Sequence, residues 1–205
     1  MTAANMEKSK STNKGLKISI GILAALVILI ATILFFVNQF VIYTIHGDSL
    51  TEAQKAAAKY LKGKEGLGAD IEALAMTQEG DYLVVLFKDN ESGAVGIVIF
   101  ETLGIFDNKY KTNAVESWSL TKQIDVYNES GTHKWAESGN GSLIVVYGIN
   151  TDIQAHSYKF VISGDEYSEV IENDYFVHIF LIDESTDETV NGNLYDAGGQ
   201  VIRAL

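Results

Sequence analysis

Between Ile18 and Gly47 the chain carries no Asp, Glu, Lys or Arg, and the core of this run, Ile18 to Val37, is almost wholly apolar. About 20 apolar residues at roughly 1.5 Å rise span the ~30 Å hydrocarbon layer of a bilayer. The run therefore predicts a transmembrane helix that, with its outer interface, covers residues 18–43. Lys8, Lys10, Lys14 and Lys17 precede it against a single Glu7, and basic residues beside a span stay on the cytoplasmic side. The expected topology is a cytoplasmic basic tail (1–17), a signal anchor in the cell membrane, and an extracytoplasmic remainder. A cleaved signal peptide is the rival reading, but its apolar core runs about 7–15 residues and ends at a small-residue site. The longer run, followed by Asn38-Gln39-Phe40-Val41-Ile42-Tyr43, favours an uncleaved anchor. Gly21 and Ala25 form a small-xxx-small pair that would let two spans approach closely, so a dimer through the span is a secondary expectation.

Charge divides the chain in the same place. Residues 46–205 hold 11 Lys plus Arg and 26 Asp plus Glu. An acidic exterior argues against nucleic acid, whose phosphates need a basic face. It also argues against lying flat on an anionic bilayer, and it leaves cationic partners open. There is no cysteine, which removes disulfides, thiolate metal sites and thiol catalysis together. There is no proline either, so turns must rely on Gly, Asn and Asp, and no stiff proline spacer separates domain from membrane.

Past the span, Asp48-Ser49-Leu50-Thr51-Glu52 reads as a helix start in which Ser49 caps and Glu52 reaches back. Leu50, Ala53, Ala57 and Leu61 recur at helical spacing up to Gly63, predicting a helix over 50–62 whose alanine face packs on a sheet. Strand signals at 71–77, 82–88 and 94–101 are separated by turn-rich breaks. This helix plus three-stranded meander resembles small bacterial extracytoplasmic modules such as PepSY domains, a similarity of pattern over some 50 residues that implies a fold and no activity. Residues 103–141 give weaker strand signals, around Trp118 and 124–127. They read as a linker or an irregular β connection.

The last third reads as β: Leu143–Tyr147, the alternation around Tyr158, Phe160 and Ile162, the apolar Tyr175–Ile182 interrupted by His178, and a hairpin over 193–202. Leu194-Tyr195-Asp196-Ala197-Gly198-Gly199-Gln200-Val201-Ile202 resembles the closing hairpin of immunoglobulin-like modules on Gram-positive cell surfaces. The resemblance implies a sandwich and, for function, adhesion or scaffolding. The expected fold class is α+β: a transmembrane helix, then a helix with an antiparallel three-stranded meander (44–102), then a C-terminal β-sandwich-like module (142–205). Whether the last two are one domain or two stays open, with two packed modules favoured.

Chemistry is sparse. Ser119-Leu120-Thr121-Lys122 matches Ser-x-x-Lys, which on a helix sets a hydroxyl and an amine one turn apart as penicillin-recognising enzymes require. The pattern recurs at Ser11-Thr12-Asn13-Lys14, and no Lys-Thr-Gly follows. His46, His133, His156 and His178 show no metal-ligand spacing, and His178 reads as a hydrogen-bonded core residue. Oxygen ligands for calcium are best sought at Asp183, Glu184, Asp187 and Glu188. No catalytic residue and no cofactor is expected. These features point to a non-enzymatic binding or accessory module of the bacterial cell envelope with an envelope protein as partner. The alternative is an envelope sensor or immunity-type protein that captures a cationic peptide or Ca2+ on its acidic exterior.

Overall fold

The computed structural model describes residues 22–35, 42–103, 108–133, 141–183 and 190–205, without the side chains of 112–117 and 129–133. The chain divides into two units, 1–42 and 43–205. In the first, residues 22–35 form helix α1. Its large apolar side chains, Ile22 through Phe35, are all between 48% and 66% exposed. Its one hydroxyl, Thr32 Oγ1, donates to the Ile28 carbonyl at 2.8 Å. Among the described residues no helix is long and apolar enough to cross a membrane. Of the expected span, 18–43, residues 18–21 and 36–41 lie outside them, Gly21 of the expected dimer pair included, while Ile42 and Tyr43 at its far end belong to a strand.

The second unit is mostly antiparallel β. Helix α2, Leu50–Leu61, follows the short strand β1, Ile42–Thr44. It buries Ala53, Ala56, Ala57 and Leu61, so the alanine stripe allows the close approach to a sheet that its period predicts. Gly63 ends the helix at φ +80°, a backbone that costs a residue without Cβ little. The start differs from expectation: Ser49 makes no side-chain cap. The Glu52 carboxylate instead accepts from His46 N at 2.7 Å and meets His46 Nδ1 at 3.0 Å. The chain turns at Gly47, φ +50°, which brings His46 within reach of Glu52.

Strands β2 (Ile71–Glu79), β3 (Tyr82–Asp89) and β4 (Val95–Thr102) form the predicted meander. It is extended by β5 (Lys109–Ser119) and β1 into a five-stranded sheet of order β1-β5-β4-β3-β2. Strand β6 (Ile124–His133) joins β7 (Gly141–Ile149) and β10 (Tyr175–Ile182) in a three-stranded sheet of order β10-β7-β6. Residues 103–141 thus supply one strand to each of these two sheets, β5 and β6. Gly148 allows β7 to approach the start of β6 closely, since an added Cβ would collide with the Gln123 carbonyl and with Ile124. The third sheet, β12-β11-β8-β9, is built from β8 (Ser157–Ile162), β9 (Asp165–Val170), β11 (Asn191–Tyr195) and β12 (Val201–Ala204).

Strand alternation sorts these elements into layers, since successive side chains point to opposite faces. Leu83, Val85 and Phe87 meet α2 in one core. Tyr82, Val84 and Leu86 meet Leu143, Val145 and Tyr147 in a second. Ile144, Val146 and Phe176 meet Tyr158, Phe160, Ile162 and Leu194 in a third. The order is helix, five-stranded sheet, three-stranded sheet, four-stranded sheet. The last two face each other as a sandwich would.

His178 lies in the third core, with its Nδ1 2.8 Å from Tyr158 Oη. Burial pushes the Tyr158 phenol up, as does the Glu169 charge, so it stays protonated. Burial lowers the His178 pKa, partly offset by the charges of Glu169 and Glu172. The folded state therefore holds His178 neutral while the unfolded chain takes up a proton below about pH 6.5. Stability is expected to fall as pH drops through that range, and His178→Gln should flatten this limb of a urea-denaturation series from pH 7 to 5.

Candidate functional site

A groove of about 490 Å³ opens where the five-stranded and three-stranded sheets meet. Its walls come from six separate stretches of chain. β2 gives Glu72 and Leu74, β3 gives Lys88, and the start of β4 gives Gly93 and Val95. The β5–β6 connection gives Ser119 through Gln123, and Ile149, Thr151, Asp152 and Tyr175 close the far side. Glu72 and Lys88 are directly opposed across β2 and β3, which puts one charge of each sign on the rim. Gln123 Nε2 donates to Asp152 Oδ2 at 3.0 Å, and Lys122 Nζ pairs with Asp125 at 2.8 Å. Leu120 is 66% exposed and Tyr175 42% exposed at the mouth. The groove therefore combines apolar side chains with charges of both signs.

Ser119-x-x-Lys122 lies on this wall, but in a bend and not on a helix. Ser119 Oγ accepts from Thr121 N at 3.2 Å and from Lys122 N at 3.0 Å, which makes it the acceptor of a local hydroxyl turn. The ammonium that activation would need is held by Asp125. The pattern reflects turn chemistry.

The histidines are dispersed. His46 meets Glu52, His178 meets Tyr158, His156 bridges two strands through its backbone, and the side chain of His133 lies outside the described residues. Among the described residues no three His, Asp or Glu side chains gather for a metal. Of the calcium candidates, Asp183 is exposed, while Glu184, Asp187 and Glu188 lie outside the described residues.

A second polar constellation closes the β3–β4 turn. The buried Asp89 carboxylate accepts from Gly68 N at 2.6 Å, Glu91 N at 3.1 Å, Ser92 N at 3.2 Å and the Ser92 hydroxyl. All four donors are internal, so this site holds the loop and leaves no ligand position. Sequence reasoning did not select Glu72, Lys88, Leu120, Asp152 or Tyr175. The only local signal was an apolar Leu120 inside a polar turn. Comparison of the chain with protein-family models, with curated proteins and with solved structures finds no match.

Proposed function

We propose that the chain is a single-pass, membrane-anchored extracytoplasmic binding module of the bacterial cell envelope, non-enzymatic, whose groove receives a segment of an envelope protein. The observation that carries the reading is α1: ten large apolar side chains are exposed all round the helix. A helix apolar on every side is a membrane span or the core of a larger body. Thr32 hydrogen-bonds within the helix, as a hydroxyl in hydrocarbon must. The lysines before it set the tail inside.

The absence of native cysteine makes topology directly testable. Ser168→Cys should react with a membrane-impermeant maleimide in intact cells, Ser11→Cys only after permeabilisation, and the chain should resist alkaline carbonate extraction. Labelling in the reverse order, or release by carbonate, overturns the anchor. For the groove, photocrosslinking from position 121, an exposed groove-lining residue, in cells should trap a defined protein. Leu120→Asp and Tyr175→Ala should each reduce its yield about tenfold or more, the scale of an interface anchor. Unchanged yield removes the groove from the reading.

A second reading is favoured by β9. Five of its six residues are exposed, three of them carboxylates, and it forms the edge of its sheet. An acidic edge suits an extended cationic peptide, which would add as a strand. Its signature is salt-sensitive binding of a polylysine probe, abolished by Glu166→Lys together with Glu169→Lys. Salt-independent binding counts against it.

A further inference from the structure

The acidic exterior has one basic region. Lys55, Lys59, Lys62 and Lys64 fall within residues 55–64, which contain no Asp or Glu, and no other stretch of that length in 46–205 holds more than two basic residues. The first three are spaced 4 and 3 apart, so they share one stripe of α2 and its cap. Lys55, Lys59 and Lys62 are exposed. Lysines near a helix C-terminus also complement its dipole, which accounts for Lys59 and Lys62. It does not account for Lys55 in mid-helix or for Lys64 beyond the end.

The place of this stripe in the domain gives it meaning. Lys59 Nζ lies 5.5 Å from the centre of the Tyr43 ring, and Tyr43 is the first residue of the second unit. Within the second unit the basic stripe therefore lies beside the residue that opens it. Beside it a depression of about 700 Å³ is floored by Ala58, Leu67 and Ala69 and edged by Lys59 and Lys62. Resting on the membrane reading above, we propose that this face docks on the anionic phospholipid headgroups of the bilayer that holds the anchor. The lysines meet phosphate, and the depression takes the glycerol end of a headgroup.

The remaining negative charge of the domain does not prevent this. Exposed charges further than about 8 Å from the surface are screened at physiological salt. What counts is the local patch: residues 55–64 carry no carboxylate, Glu52 is paired with His46, and the Glu91 carboxylate approaches the lining of the depression at Gly68. Each lysine near an anionic surface contributes about fivefold in favour of the docked state. The domain is then held with one face toward the lipid, and its acidic β9 edge belongs to a different element of the fold.

The test uses the full chain with Ala69→Cys carrying a polarity-sensitive dye, in nanodiscs of phosphatidylcholine alone or with about 30% phosphatidylglycerol. The expected result is a blue-shifted emission in anionic discs only, lost at about 0.5 M salt. It should also be lost when Lys55, Lys59, Lys62 and Lys64 are changed to Gln. Identical emission in the two kinds of disc, or a shift that salt leaves in place, overturns the lipid contact. The salt arm uses the unaltered lysines, so it decides the matter even where the fourfold variant misfolds. Failure of the chain to enter either disc sinks the anchor reading, and the lipid contact with it.

Discussion

Replacing Tyr158 by alanine is expected to cost about 3–5 kcal/mol, the largest single-residue effect in the β domain. Tyr158 is fully buried. Its ring lies 6.2 Å from Phe160 and 6.3 Å from Phe176 in stacked contacts, and 6.3 Å edge-on to Phe180. Removal empties the centre of the third core and also strips His178 Nδ1 of its hydrogen-bond partner. Tyr158→Phe separates the two losses. It keeps the ring but leaves a half-buried imidazole nitrogen unpaired, at about 1–3 kcal/mol. Urea denaturation of the detergent-solubilised full chain, followed by circular dichroism, reads both values. An alanine variant within 1 kcal/mol of the parent, on the order of an ordinary surface change, would refute the central role given to this ring.

Asp89→Ala should cost about 3 kcal/mol, because it removes a charged acceptor and orphans several internal donors at once. The carboxylate ties the loop after α2, through Gly68, to the β3–β4 turn, through Glu91 and Ser92. The loop fits closely: a Cβ on Gly68 would lie 2.3 Å from a Glu91 carboxylate oxygen. Burial works against the Asp89 charge, but the hydrogen bonds from Ser92, Gly68 and Glu91 outweigh it and hold the carboxyl below its ordinary range. A depressed folded pKa contributes stability that is present above the unfolded value, about 3.9, and is lost as pH falls through the folded one. The parent should therefore lose stability steeply below about pH 4, and Asp89→Ala should lack that part of the slope. Parallel acid limbs in the two proteins would mean the carboxylate is not held as described.

Much of the fold was legible where one side of an element is polar. The helix expected over 50–62 is Leu50–Leu61, and the meander strands agree within two residues, because hydrophobic period and turn glycines act locally. Strand β9 was not legible. Asp165-Glu166 shows no apolar alternation, yet it opens a strand behind the tight turn at Ser163 and Gly164, both at positive φ. A sheet edge tolerates carboxylates that a central strand would not. The Glu52 assignment failed for a similar reason: a capping pattern names the acceptor, but the path of the chain through Gly47 decides which amide it meets. The joining of β5 to β1 and β4 is a long-range pairing with no local signal. The groove was hidden for the same reason, since its segments are scattered from residue 72 to residue 175 and no local pattern joins them.

The three-stranded sheet is covered by apolar side chains on both faces. From Leu143 to Tyr147 exposure never exceeds 1%, with alternate residues committed to different cores. Such a sheet is a shared wall, and neither neighbour can be excised without wetting one side of it. A boundary drawn near residue 141, convenient as it looks on paper, would leave each fragment with an unsolved surface. Evolution and engineering alike are then confined to the periphery, in loops, edges and the helix, while the middle of the chain must be inherited whole.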